Sequence, residues 1–276
     1  MANGTAPHLL PAPPLRWFAA TDIGKIRDEN QDSFVVEPEA GIFLVADGMG
    51  GHRGGAVAAN IVAEDLPVMI ETGLAGLKSR RIRSIRNLLK KTIIELNRQV
   101  KMEGHSEAGH KGMGTTLAAA LLHDRRAYIA NLGDSRAYRL RKGRLTQLTK
   151  DHSVVGELIG KGTIRPEDAQ AHEAADQITH YVGMEEQVTP HIRTFALQKA
   201  DRLLLCTDGL TDLISDHEIL GVIGDGDDPE NLCRQLIVMA NGKGGNDNIT
   251  VSLILVSNLQ GKGRSNFKGL FSRSRK

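Results

Sequence analysis

The stretch IFLVADGMGGH, Ile42–His52, decides how this chain folds. Ile42–Ala46 is an apolar run too short for a helix and closed by an Asp-Gly pair, so it reads as a buried strand ending at Asp47. The same arrangement recurs. Asp134, in GDSRAY, follows the apolar run Ala127–Leu132. Asp208, in TDGLTD, follows Leu203–Cys206. Asp247, in GGNDNIT, stands just ahead of Ile249–Val256, and Asp32, in NQDSF, just ahead of SFVV. Starts and ends of neighbouring strands share an edge in an antiparallel sheet. All five carboxylates can therefore gather at one rim. Asp-Gly is first of all a turn dipeptide, and Asp225–Gly226 reads as nothing more. Turn chemistry does not explain one pattern at several strand ends.

Gathered carboxylates repel one another, and a rim of them needs a cation. Hard divalent ions such as Mg²⁺ or Mn²⁺ suit oxygen ligands. Gly48, Gly50, Gly51, Gly133, Gly209, Gly244 and Gly245 flank the aspartates, and glycine lets backbone approach a ligand closely. The Gly48 carbonyl is itself a candidate ligand.

Outward from the rim, Leu117–Leu122 is a further strand. Gly55–Ile70 and Leu77–Met102 read as helices, the second with Ile82, Ile85, Leu89, Ile93, Leu96 and Val100 at helical spacing. Pro229–Ala240 is a third, with Asp227 or Asp228 as its cap. Strands, then helices, then strands again predict an α+β protein, sheets packed on each other with helices outside, rather than a repeating parallel unit. Order is expected from about Arg16–Trp17 to Asn258. Residues 1–15 read as a flexible lead-in, and 259–276 as a basic mobile tail with six basic and no acidic residues.

Composition narrows the function. The net charge of +2 over 276 residues gives no case for nucleic-acid binding. No apolar run approaches the roughly 20 residues that span a bilayer. Two distant cysteines, Cys206 and Cys233, make neither a disulfide framework nor a zinc site; Cys206 reads as a buried inert thiol. A reducing cytoplasm is the expected location. The basic cluster from Lys78 to Lys91 reads as a solvated helix face, with docking of an acidic partner as the lesser alternative. His152, His172, His180 and His191 read as surface residues.

Seven segments, TDIGKIRDENQDSF, FLVADGMGGH, GMGTTLAA, ANLGDSRAYRL, LTKDHS, DRLLLCTDGLTD and GGNDNITV, occur in one order and cover nearly all of Trp17–Val256. In these the chain resembles the metal-dependent type 2C Ser/Thr protein phosphatases (the PPM family) in their bacterial form. The resemblance implies a four-layer α-β-β-α sandwich, two antiparallel sheets flanked by antiparallel helices, with the metals at one edge. It implies that Asp47 bridges two divalent cations, Mn²⁺ or Mg²⁺. Asp208 and Asp247 complete the first ion; the Gly48 carbonyl and Asp32, acting largely through water, complete the second. Asp134 with Asp208 would hold a third, weaker ion. Arg27 matches the arginine that grips the substrate phosphate, and His52 is the candidate acid for the departing oxygen. Residues 151–183 match a variable flap over the site. Two departures stand out: Gln31 where many members carry glutamate, and HEAADQITHYVG, His172–Gly183, where a more basic stretch is frequent.

The expected activity is hydrolysis of phosphoserine and phosphothreonine in proteins, by a monomer that opposes a cognate Ser/Thr kinase. A catalytically silent phosphoprotein-binding relative and a regulator dedicated to one small partner are the alternatives.

Overall fold

The computed structural model describes residues 15–50, 54–106, 112–165, 168–169, 171–175 and 177–257. Chain order is β1 (Leu15–Asp22), β2 (Asp32–Glu37), β3 (Ile42–Met49), α1 (Gly54–Gly76), α2 (Ile82–Ser106), β4 (Gly114–Thr115), β5 (Leu117–His123), β6 (Arg126–Leu132), β7 (Arg136–Arg141), β8 (Arg144–Gln147), α3 (Val154–Gly160), β9 (His191–Ala196), β10 (Arg202–Cys206), α4 (Asp208–Thr211), α5 (Asp216–Gly224), α6 (Pro229–Gly242) and β11 (Ile249–Val256). One sheet runs β1-β11-β10-β7-β8 and the other β2-β3-β5-β6-β9, with β4 added to β3. Every pairing is antiparallel.

Three apolar layers hold four structural layers together. Phe43, Val45, Leu203, Leu205 and Ile254 pack between the two sheets. Leu44, Val62, Leu66, Ile93 and Leu96 join α1 and α2 to the β3 sheet. Leu204, Val251, Leu253, Ile219 and Leu236 join α5 and α6 to the other sheet. Neighbours such as Leu203 and Leu204 serve different layers because successive strand residues face opposite sides. That is why the central strands are apolar throughout rather than alternating. Truncating Leu204 to alanine costs about 2–5 kcal/mol, since the layer around it cannot close fully.

The expected strands and the α+β sandwich stand. Several boundaries moved. The sheet begins at Leu15, which pairs with Val256. The second helix starts at Ile82, not Leu77, because residues 77–81 make the reversal after α1. Gly73 allows that close return: a Cβ there would strike Leu88 of α2. Asp228 is the α6 cap residue, but its side chain makes no capping bond, and Asp227 pairs with Arg202 instead. Asp225–Gly226 is a turn, with Gly226 at φ +73°. Residues 1–14 and 258–276, where the lead-in and tail were expected, lie outside the described residues.

Candidate metal centre

The rim is built by strand register. Asp32, the first residue of β2, lies directly opposite Asp47 near the end of β3. In the other sheet, the end of β10 faces the start of β11, so Asp208 and Asp247 come from adjacent strand termini. Asp134 lies in the link from β6 to β7 that crosses between sheets. The five aspartates converge on one edge.

Neutral hydroxyls and amides hold them there. Asp32 Oδ2 accepts from Thr250 Oγ1 at 2.6 Å and from Thr207 Oγ1 at 2.9 Å. The Thr207 hydroxyl also accepts from Thr250 N at 3.0 Å, so one pair of threonines ties β10, β11 and β2 together. Asp47 N donates to Thr116 Oγ1, and Thr116 N to Asp47 O, which fixes the end of β3 against the start of β5. Asn248 spans the loop between β1 and β2: its Nδ2 donates to Ile23 O and Glu29 O, and its Oδ1 accepts from Gln31 N. That loop carries Arg27, whose Nη2 donates to Asp247 Oδ2 at 2.6 Å. The Gly48 backbone lies on the Gly55 backbone at the start of α1, where a Cβ would overlap the Gly55 carbonyl.

Electrostatics set the rim apart. Burial first, then the nearby Asp208 and Asp32 charges, push the Asp47 carboxyl well above the ordinary carboxylate range. Burial and then Asp208 and Asp151 do the same to Asp134. Burial raises Asp208, offset in part by its hydrogen bond with Asp47. Asp32 is pushed up to about 7 by burial, against the two threonine hydrogen bonds. Asp32 Oδ1, Asp134 Oδ1 and Asp208 Oδ1 are buried with no hydrogen-bond partner among the described residues. Oxygen acceptors that are buried, unsatisfied and mutually repulsive fit hard divalent cations. Among the described residues no three acidic, histidine or cysteine side chains already stand as a closed ligand set; Asp247 is engaged by Arg27.

A model of the protein phosphatase 2C family matches residues 27–242. The chain belongs to the protein phosphatase 2C family. It is 39% identical over 247 residues to the serine/threonine phosphatase stp of Listeria welshimeri, covering 88% of this chain and 96% of that one. The serine/threonine phosphatase of S. agalactiae superposes with a TM-score of 0.80 at 34% identity, over 88% of this chain and all of that one. The catalytic domain of the phosphatase PstP, whose structure holds two manganese ions, superposes with a TM-score of 0.71 at 33% identity, over 88% of this chain and 99% of that one. This protein phosphatase 2C member is a protein Ser/Thr phosphatase.

The structure brings Arg27, Asp32, Asp47, Gly48, Asp134, Asp208 and Asp247 to the rim. His52 lies outside the described residues. Of the histidines read as surface groups, His152 and His191 are half-buried and bond to the β6 end of the rim. His152 Nδ1 accepts from Gly133 N at 3.2 Å, its ring stands 5.4 Å from that of His180, and His191 Nδ1 bonds Asn131 Oδ1. Gly133, at φ +104°, would meet Thr116 if it carried a Cβ. His152 thus holds the turn that presents Asp134. Of residues 151–183, where the flap was expected, the described part holds α3 and two bridges, Ser153 to Ile178 and Val182 to Thr115. Thr207, Thr250 and Asn248 were not singled out from the sequence. The signal was adjacency: Thr207 precedes Asp208, and Asn248 and Thr250 follow Asp247.

Proposed function

We propose that the rim aspartates are the metal ligands of this phosphatase and that Arg27 is its phosphate clamp. The observation that carries the assignment is the set of buried, unpartnered carboxylate oxygens on Asp32, Asp134 and Asp208, beside an Asp47 whose charge burial opposes. Asp47 would bridge two ions, Asp208 and Asp247 would complete the first, and the Gly48 carbonyl and Asp32 the second. Asp134 and Asp208 would hold a third, weaker ion. Two Mn²⁺ or Mg²⁺ ions bound there would supply a hydroxide-like water at neutral pH and offset the phosphoryl charge.

The chain's own groups do the rest. Arg27 presents a planar cationic fork at the open edge of the rim, suited to phosphoryl oxygens. Its ion pair with Asp247 is half-exposed, worth no more than about 1 kcal/mol, and readily exchanged for a phosphate. Asn248 fixes the backbone on either side of Arg27, which limits the entropy lost when the arginine closes on substrate. Thr250 and Thr207 orient Asp32 from below. His52 would protonate the departing serine or threonine oxygen. No nucleophilic side chain is needed, so attack on phosphorus is direct. The substrates are phosphorylated Ser/Thr proteins, and a cognate Ser/Thr kinase in the same cytoplasm is the enzyme it opposes. No described helix is long and apolar enough to cross a membrane.

The test is hydrolysis of a phosphothreonine peptide with Mn²⁺, with EDTA, and with Asp208→Asn. Release that depends on Mn²⁺ and vanishes in both controls supports the assignment. Undiminished release by folded Asp208→Asn refutes it.

A further inference from the structure

Arg80, Arg81, Arg83 and Arg126 line one open cleft of about 450 Å³, with Ile82, Asp124 and Tyr128 completing its wall. The cleft is remote from the carboxylate rim. Leu117 starts β5 at the rim edge and His123 ends it at the opposite edge, six residues on, so the two places are about 20 Å apart.

This cleft is charged but not neutralised. Arg136, Arg141 and Arg202 each find a carboxylate. The guanidinium groups of Arg80, Arg81, Arg83 and Arg126 have no ion-pair or hydrogen-bond partner among the described residues. The positive end of α2 opens at the same place, and its first turn holds no acidic residue. Three arginines beside a helix N-terminus oppose the helix dipole, and an anion placed there satisfies both. Tyr128 is only 2% exposed, its ring belongs to the core beneath α2, and its hydroxyl also has no hydrogen-bond partner among the described residues. Its ring is buried, and its hydroxyl lines the cleft as a donor open to solvent. The tight turn at Asp124 and Arg125, both at positive φ, sets Arg126 beside this cluster.

We propose that this cleft docks an acidic segment of the protein substrate, about 20 Å from the phosphate being hydrolysed. The inference rests on the phosphatase reading. An extended chain covers that distance in about six residues, and a chain following the surface needs roughly ten. A protein segment is favoured over nucleic acid because the basic patch is local, four arginines around one cleft, on a chain whose net charge is only +2.

The experiment compares two phosphothreonine peptides of identical reacting sequence. One carries an added run of about six glutamates roughly ten residues away. The expected result with Mn²⁺ at low salt is a KM about fivefold or more lower for the extended peptide, with kcat unchanged. Arg81→Glu/Arg83→Glu should abolish the difference and leave the short peptide's kinetics alone. Both residues are exposed, so charge reversal spares the core. Arg81→Lys/Arg83→Lys should keep most of the advantage. Equal KM values for the two peptides with the native enzyme, or an advantage that survives charge reversal, overturns the proposal. If neither peptide is hydrolysed, the phosphatase reading fails on its own account. Docking is then read from fluorescence anisotropy of the labelled glutamate run in EDTA. Binding weakened by the double variant supports docking, and no binding to the native protein overturns it.

Discussion

The molecule buries carboxylates in two ways, at opposite ends of the same sandwich. At the end remote from the rim, Asp201 is completely buried, yet Arg141 gives it two hydrogen bonds at 2.6 Å and Gln198 N a third at 2.8 Å. At the rim, Asp32, Asp134 and Asp208 each keep a buried oxygen with no hydrogen-bond partner among the described residues, and Asp47 lies among like charges. The chain neutralises the first carboxylate itself. It leaves the others to something brought in. A buried charge that is fully paired serves the fold, and a buried charge left wanting serves chemistry.

The sharpest way to break that distinction is to replace one carboxylate of each kind by its amide. Asp47→Asn should fold and lose phosphopeptide hydrolysis by on the order of 10³-fold, or ~4 kcal/mol of barrier. Initial rates with Mn²⁺ measure it, and a native-like rate would erase the contrast. Asp201→Asn should do the reverse. It leaves Arg141 without its counter-charge and should cost ~3 kcal/mol in urea unfolding, with kcat per folded molecule unchanged.

A smaller effect separates His152 from both. Burial first, then His180 and His191, lower its pKa from 6.5 to about 4. Its folded value lies below its unfolded one, so the unfolded chain takes up the proton first on acidification. Its contribution is complete above pH 6.5 and is lost as pH falls towards 4. His152→Asn should lack that slope when unfolding is followed across this range; parallel curves for variant and native protein would contradict a neutral, half-buried His152.

The smallest effect belongs to a partly exposed carboxylate. Lys243 and then Ser215 hydrogen bonds draw Glu218 from 4.5 down to about 2. A lowered pKa adds stability above 4.5 that disappears as pH falls towards 2. Glu218→Gln should flatten that acid limb only slightly. A loss as large as that of Asp201→Asn would mean that burial is not what separates these carboxylates.

Much of the rim was legible because its residues are local punctuation. An aspartate closing an apolar run beside glycine is visible without knowing what faces it, and Asp47, Asp134 and Asp208 were found in that way. The supports were harder to read, because they act across the chain. Thr207 and Thr250 matter for a bond to Asp32 more than 170 positions away, and a threonine in a strand otherwise signals only β propensity. β7, RAYRLR, was not read as a strand because its arginines mask the buried Ala137, Tyr138 and Leu140. α1 outran its expected end at Ile70 because Leu74 is buried one turn later. His152 looked like a surface residue because nothing local shows that it caps the Gly133 turn.

The most direct test of the central claim is thermal unfolding of native protein and Asp47→Asn, each in EDTA and in Mn²⁺. The account predicts that Mn²⁺ raises the native melting temperature, that Asp47→Asn melts above the native protein in EDTA because a repelling buried charge is gone, and that Mn²⁺ then adds little. An Asp47→Asn protein that melts below the native one in EDTA, with neither protein responding to Mn²⁺, would contradict it.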